Sequence, residues 1–459
     1  MTRDSARLTP HRTTGMPLSP AHGGASVLEI GNHPSCLNSI NNSVSKQKTF
    51  QFNINTNTNT TQHYNNATMT LIKFSSLGNE IKTNPTLKGH KLVFITPWEP
   101  AQDYIDSLQK QFPDLVIEYH KTEWRAPGTG VGESPFPIEQ WKDVTIALTF
   151  TYLPQPQDAP KLQYVQLISA GANHILDHPL FKETEVEFCT ANGVHGPQIS
   201  EWLLLTYLAF NHHLPHYLSL QQQAHWSRDK SDSIQDATAK TIGILGYGAI
   251  GRQTARLAVA MGMTVHAFTL HPRPTPESRK DRSWAPVGMG DPDGVFPSKW
   301  FSGSSKEDLH TFLRSGLDLL VVSTPLTPGT KHLLGKDEFE ILYEASPTVK
   351  VMNEETGETE ERGRTFVSNI ARGPVVDTDE LIKALEKGWI RGAALDVTDP
   401  EPLPDGHKLW STRNVIVTPH VSGASTRYNE RVLAILEENL GRMGRGERLV
   451  NGVSRREGY

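Results

Sequence analysis

The sequence predicts an α/β protein built from two doubly wound parallel-sheet domains with a cleft between them. Three observations carry this. Short apolar runs alternate with segments of helical spacing from about residue 88 to residue 443, and such alternation builds parallel sheets. One strand–turn–helix unit carries Gly246-Tyr-Gly248-Ala249-Ile250-Gly251. Three chemically capable side chains, Arg372, Glu401 and His420, each stand just past an apolar run. Ligands of open parallel sheets bind beyond the carboxyl ends of the strands, so these three are expected to converge on one crevice.

The elements follow in order. Residues 1–85 differ from the rest: Gln51 to Asn66 is mostly Asn, Thr and Gln. Such a tract buries too little apolar surface to offset the entropy of ordering it, so a low-complexity, disordered extension is expected, with Met69 reading as a natural start. Lys91–Thr96 reads as a buried strand. Ala101–Phe112 has helical spacing, with Tyr104, Leu108 and Phe112 on one face. Leu115–Tyr119, Thr145–Thr149 and Tyr164–Ile168 read as further strands. Pro197–Leu220 reads as one long apolar helix crossing between domains, followed by a polar hinge from His225 to Ala239. Lys240–Leu245 opens the second domain, and its strands and helices alternate to Thr418. Ser425–Met443 is a helix long enough to return to the first domain. Pro272–Lys306 and Ala345–Arg364 are rich in Pro, Gly, Ser or charge and read as surface loops. The expected division is therefore 86–200 with 425–450 for a substrate domain, and 201–424 for a cofactor domain.

Bulk properties exclude several classes. With 459 residues and a formal net charge of −5, charges are mixed in sign and no basic face points to nucleic acid. No apolar run reaches the roughly 18–20 residues that span a bilayer. Cys36 and Cys189 have neither metal-ligand nor disulfide spacing, so no metal is expected. Arg3, Arg7 and Arg12 among Ser and Thr resemble a mitochondrial transit peptide, but Asp4 and several prolines count against it. A cytoplasmic location is expected.

The glycine spacing has a physical cause. Gly246 makes a tight turn after a strand, Gly248 lets backbone approach a pyrophosphate, and Gly251 lets the helix pack on the strand. Ala249 and Ile250 lie in the loop that opens the helix Arg252 to Met261, at whose start free N–H groups meet phosphate. With strand, loop, helix and next strand in order, dinucleotide binding is expected. The second strand ends at Thr269, with Arg273 following and no acid to hold ribose hydroxyls. Arg273, helped by Arg279 or Lys280, could instead pair with a 2′-phosphate. NADP is therefore expected over NAD, with both retained.

His420 suits proton transfer near neutral pH. A carboxylate beside it favours the protonated ring; Glu401 is the candidate, and Asp399 is a rival that spacing does not separate from it. Arg372 can clamp a carboxylate with two prongs.

These residues resemble the D-2-hydroxyacid dehydrogenases over about Lys88 to Val450. The resemblance rests on the glycine loop, Ser323-Thr-Pro-Leu-Thr-Pro-Gly-Thr330, Ala371-Arg-Gly-Pro-Val-Val-Asp377, Leu395-Asp-Val397 with Glu401, and Pro419-His420. It implies a flavodoxin-like substrate domain and a Rossmann cofactor domain, with Arg372, Glu401 and His420 catalytic. It implies that Thr324, Pro325, Thr330 and Ile370 line the cofactor site, with Asp396 touching the nicotinamide amide. Ala170 and Gly171 would bind substrate carboxylate through a loop in which Ser169 replaces a glycine and Asn173 an aspartate. The implied activity is hydride transfer between NAD(P)H and a short 2-keto acid of the glyoxylate or hydroxypyruvate type, giving a D-2-hydroxy acid. By analogy the protein would be a homodimer. Two rivals also resemble this fold. One is a cofactor-sensing interaction protein like the C-terminal-binding-protein corepressors, against which the lack of a basic tract counts. The other is formate dehydrogenase, which carries Gln where Glu401 stands.

Overall fold

The computed structural model describes residues 83–123, 136–352 and 359–456. Up to residue 82, the extension expected over residues 1–85, with Cys36 and Met69, lies outside them. Residues 84–87 are pinned down: Asn84 N–H donates to the Gly444 carbonyl at 2.8 Å, and Leu87 is fully buried.

Strands β1 (Lys91–Thr96), β2 (Val116–Lys121), β3 (Ile146–Thr149), β4 (Tyr164–Leu167) and β5 (Glu187–Cys189) form a parallel sheet in the order β2-β1-β3-β4-β5. That is the flavodoxin-type order. Side chains alternate across it, as a pleat demands. Leu92 and Phe94 face α1 (Gln102–Gln111) and α10 (Tyr428–Arg445) through Leu108, Val432, Ile435 and Leu436. Val93 and Ile95 face the other way, toward Leu180 and Phe181 of α2 (Pro179–Glu183). The last helix thus returns to the first sheet.

The second sheet has seven parallel strands: β6 (Thr241–Leu245), β7 (Thr264–Thr269), β8 (Pro297–Ser302), β9 (Leu319–Val322), and, after a hairpin of β10 (Val349–Met352) and β11 (Thr359–Arg362), β12 (Phe366–Asn369), β13 (Gly392–Leu395) and β14 (Val415–Val417). Their order, β14-β13-β12-β9-β6-β7-β8, is the doubly wound 3-2-1-4-5-6 order with one strand added. The helices α3 (Gly196–Asn211) and α5 (Ala249–Ala260) cover one face through Leu203, Tyr207 and Ala255. The other face meets α7 (Lys306–Leu313), α8 (Lys336–Glu344) and α9 (Thr378–Glu386) through Phe312, Phe339 and Leu381.

Three expectations are corrected. The stretch Pro197–Leu220 is two helices, because α3 stops at Asn211 and α4 (Leu214–Gln222) starts after His213, which has φ 52°. Pro215 in the first turn of α4 explains the break: it lacks an N–H and disfavours helical backbone before it. The segment Pro272–Lys306 is no simple loop, since it holds α6 (Pro276–Arg279) and the edge strand β8, whose first residue is Pro297. Proline is tolerated at the start of an edge strand, which is why composition misled there. Ala345–Arg364 carries the antiparallel pair β10–β11, with residues 353–358 between them outside the described set.

The first insertion is also bolted down on both sides. Asp291, 1% exposed, accepts from Tyr247 Oη at 2.7 Å and from the N–H groups of Val295 and Phe296. Arg252 pairs with Asp281 at 3.2 Å and donates to the carbonyls of Asp291 and Arg279. From there the insertion reaches the first sheet's core, where Trp284 packs and its N–H donates to Asn451 Oδ1 at 3.1 Å.

Candidate active site

The order of the second sheet reverses between β6 and β9, and a crevice opens at such a switch point. The glycine loop leaves β6 there. Gly246 has φ +105°, and a Cβ on it would stand 2.8 Å from Ser323, just past β9. A Cβ on Gly251 would stand 2.7 Å from the Gly246 carbonyl, so helix and turn touch only because it is glycine. Gly248 differs, since a Cβ there would meet nothing within 4 Å. It caps α5 without a side-chain hydrogen bond, leaving the first-turn N–H groups at Ala249, Ile250 and Gly251 open to an anion. Thr324 Oγ1 is buried beside this turn with no partner among the described residues. An exposed glycine ledge, an uncapped helix start and an orphan hydroxyl fit a dinucleotide.

The rest of the predicted cofactor set is placed as follows. Thr330 Oγ1 donates to the Pro325 carbonyl at 2.7 Å and closes the loop after β9. Ile370 packs its side chain into the core, 7% exposed. Thr269 Oγ1 turns back to the His271 carbonyl. Arg273 donates to the Ser278 carbonyl at 2.7 Å, and Arg279 donates to the Arg273 carbonyl. Among the described residues neither guanidinium meets a carboxylate, and Arg273 Nε is buried without a partner. This corner past β7 therefore keeps its positive charge.

Arg372, Glu401 and His420 follow the carboxyl ends of β12, β13 and β14, which lie side by side. His420 Nδ1 lies 2.6 Å from Glu401 Oε1, with the two side chains 47% and 40% exposed. Geometry thus brings Glu401, and not Asp399, to the imidazole; the Asp399 carbonyl accepts from Thr378. Arg372 is exposed, and its guanidinium donates to the Ala371 carbonyl at 2.6 Å.

His420 sits at φ 54°, a costly conformation for a residue with a side chain. Asp396 holds it there. The carboxylate, 2% exposed, accepts from Thr418 Oγ1 at 2.6 Å, Val421 N–H at 2.9 Å, Ser422 N–H at 3.0 Å and the Ser422 hydroxyl. The Asp396 carbonyl accepts the His420 N–H at 2.8 Å. A carboxylate offers about four acceptor positions, and this turn takes all of them. Within the protein the Asp396 carboxylate is thus committed to this turn.

The first sheet brings its loop to the same place. Ser169 Oγ donates to the Gly171 carbonyl at 2.8 Å and bridges the turn that a glycine was expected to make. The N–H groups of Ala170 and Gly171 have no partner among the described residues. Tyr428 Oη donates to the Ile168 carbonyl at 2.5 Å, tying this loop to α10.

One residue at the site carried no signal in the sequence. His195 precedes α3, and its ring lies 5.1 Å from that of Tyr428. Its Nδ1 is 3.2 Å from the Gly423 carbonyl, on the chain just past His420. Burial first, and then the charges of Arg372, Arg431 and His420, hold its pKa below the ordinary histidine value, against a raising contact with Gly423. Those charges mark Arg372 and His420 as neighbours of one imidazole.

The model of the family described as "D-isomer specific 2-hydroxyacid dehydrogenase, NAD binding domain" matches residues 204–288 and 298–422. This chain is thus similar to that family over somewhat less than half of its length. The glyoxylate reductase of Thermofilum pendens is 27% identical over 292 residues, covering 63% of this chain and 74% of that protein. The glyoxylate reductase of Thermococcus gammatolerans is 32% identical over 212 residues, and the match spans about half of each, 46% and 51%. A D-isomer specific 2-hydroxyacid dehydrogenase from Xanthobacter autotrophicus Py2, solved with NADPH and MES, superposes with a TM-score of 0.55 at 26% identity. That alignment covers 81% of this chain and 99% of the other. Among the described residues no helix is long and apolar enough to cross a membrane, and no group of His, Cys, Asp and Glu is arranged to hold a metal ion.

Proposed function

We propose that this protein reduces short 2-keto acids of the glyoxylate or hydroxypyruvate type to D-2-hydroxy acids, and runs the reverse reaction. The observation that carries this is the 2.6 Å contact of His420 Nδ1 with Glu401 Oε1 on strand ends shared with Arg372. The names of the glyoxylate reductases above support the substrate class.

A bound NAD(P)H supplies hydride. The glycine loop with Ala249, Ile250 and Thr324 would hold it, and Pro325 and Thr330 would shape the adjoining wall. Arg372 offers a two-pronged cation to the substrate carboxylate, joined by the free N–H groups of Ala170 and Gly171. His420 then protonates the carbonyl oxygen through Nε2, since Nδ1 is committed to Glu401. Glu401 fixes the ring through its contact with Nδ1. In the oxidative direction the same Nε2 takes the hydroxyl proton. Closure of residues 86–200 with 425–450 onto 201–424 would exclude water from these steps.

The unneutralised Arg273 corner favours NADP over NAD. The exposed apolar residues Leu205, Leu214, Leu218 and Trp226 on and after α3 and α4 favour a homodimer. We place the enzyme in the cytoplasm. Purified protein mixed with NADPH or NADH and a panel of 2-keto acids tests the reading. Loss of reduced-cofactor absorbance with glyoxylate or hydroxypyruvate supports it, and no turnover on any member overturns it.

A further inference from the structure

His195 lies where three walls of the site meet. Its ring packs on Gly423, where a Cβ would stand 3.2 Å from Nδ1 and 3.3 Å from Cε1. Gly423 closes the turn that carries His420. Its other face lies against Tyr428, whose hydroxyl holds the Ile168 carbonyl at the start of the Ala170–Gly171 loop. Arg372 is close enough to act on it electrostatically. The ring thus joins, through Gly423 and Tyr428, the turn of His420 to the loop of Ala170 and Gly171, within electrostatic reach of Arg372.

Its hydrogen bonding is set by Gln198. Arg431 donates to Gln198 Oε1 at 2.6 Å, which turns the Gln198 amide nitrogen toward His195 and Gly423. That nitrogen lies 3.0 Å from the Gly423 carbonyl and 3.2 Å from His195 Nδ1. It donates to that carbonyl and stands beside the ring nitrogen. Nδ1 faces this amide nitrogen and, also at 3.2 Å, the Gly423 carbonyl, so either tautomer commits Nδ1 within the protein and leaves Nε2 for a ligand. Burial and the surrounding cations keep the ring neutral. Nε2 has no protein partner among the described residues and is not sealed off from solvent. The Nε2 of a neutral, fixed ring is therefore uncommitted beside a site where Arg372 and the loop take the carboxylate and His420 takes the oxygen on C2.

Resting on the proposed keto-acid reduction, we propose that His195 is a specificity-determining residue. Its Nε2 hydrogen-bonds a hydroxyl on C3 of the substrate, so that a 2-keto acid with that hydroxyl is preferred over one without. A site that hydrogen-bonds a substrate hydroxyl discriminates against analogues lacking it, because its own polar group is then left unpaired.

The test compares hydroxypyruvate, pyruvate and glyoxylate as substrates of wild-type, His195→Leu and His195→Gln protein, with NADPH binding followed by fluorescence. For His195→Leu, kcat/KM on hydroxypyruvate should fall roughly tenfold or more, the worth of one net hydrogen bond, while glyoxylate, pyruvate and NADPH binding change by no more than about twofold. His195→Gln, which keeps an N–H donor, should recover part of the loss on hydroxypyruvate alone. Equal losses on all three acids in both variants, or no loss on hydroxypyruvate, overturn the assignment while leaving keto-acid reduction intact. Wild-type protein that reduces none of the three overturns the parent reading, and this one with it.

Discussion

Replacing Asp396 by Asn keeps size and shape but removes the acceptor capacity on which the His420 turn depends. Four donors reach the carboxylate: the Thr418 and Ser422 hydroxyls and the N–H groups of Val421 and Ser422. An amide offers one oxygen and one donor nitrogen. The hydroxyls can rotate to accept from that nitrogen, but the main-chain N–H groups cannot. Whichever way the amide turns, either Val421 or Ser422 faces a second donor. Ser422 is 5% exposed, so water does not repair the loss there. One stranded N–H costs about 1–3 kcal/mol. Asp396→Ala strands both and opens a cavity, at about 3–5 kcal/mol. The turn also keeps His420 at φ 54°. A ring displaced by about 1 Å costs on the order of a hundredfold in turnover. Urea denaturation should therefore show the Asn variant about 2 kcal/mol less stable, within the range for one buried unpaired N–H, with kcat lower on the order of a hundredfold. Fluorescence titration should leave NADPH affinity nearly unchanged. A variant as stable and fast as wild type, but weak for NADPH, would refute this reasoning and make the dinucleotide the chief partner of Asp396.

Three more outcomes are expected. His420→Asn, which tolerates positive φ, should lower kcat by about a hundred- to ten-thousandfold while sparing cofactor affinity; near-normal turnover would remove His420 from proton transfer. Arg273→Ala should raise KM for NADPH about ten- to a hundredfold and leave NADH alone, as loss of one charge-assisted phosphate contact would; equal effects on both cofactors would count against a 2′-phosphate site. The third concerns pH. His266, 4% exposed and bonded to Ser315 Oγ at 2.9 Å, has its pKa lowered to about 4 by burial and then by Lys299. Between pH 6.5 and 4 the unfolded chain binds a proton that the folded protein refuses, so stability is lost as pH falls through that window. The loss is about 2 kcal/mol at pH 5 and at most about 3 kcal/mol below pH 4. Urea melts at pH 7 and pH 5 should show it, and His266→Gln should flatten the slope; parallel slopes would reject this origin.

The amino-acid sequence by itself determined what depends on neighbours in the chain. The glycine loop was legible because turn, phosphate ledge and helix start are consecutive residues, and the strands because buried β runs are short, apolar and bounded by turn residues. Arg372, Glu401 and His420 were legible because each follows such a run. Tertiary structure decided what depends on residues brought together from afar. It broke Pro197–Leu220 at His213, and it made an edge strand of Pro297–Ser302 by giving it β7 to pair with. It chose Glu401 over Asp399, a choice made by the path of the 396–401 loop against His420. It made Asp396 the clamp of the 418–422 turn. It added His195, whose partners at Gly423 and Tyr428 lie on the far side of the cofactor sheet in sequence. The physical reason is common to all of these: a hydrogen-bond acceptor or a packing face has no local pattern, and its meaning is set only when distant donors arrive.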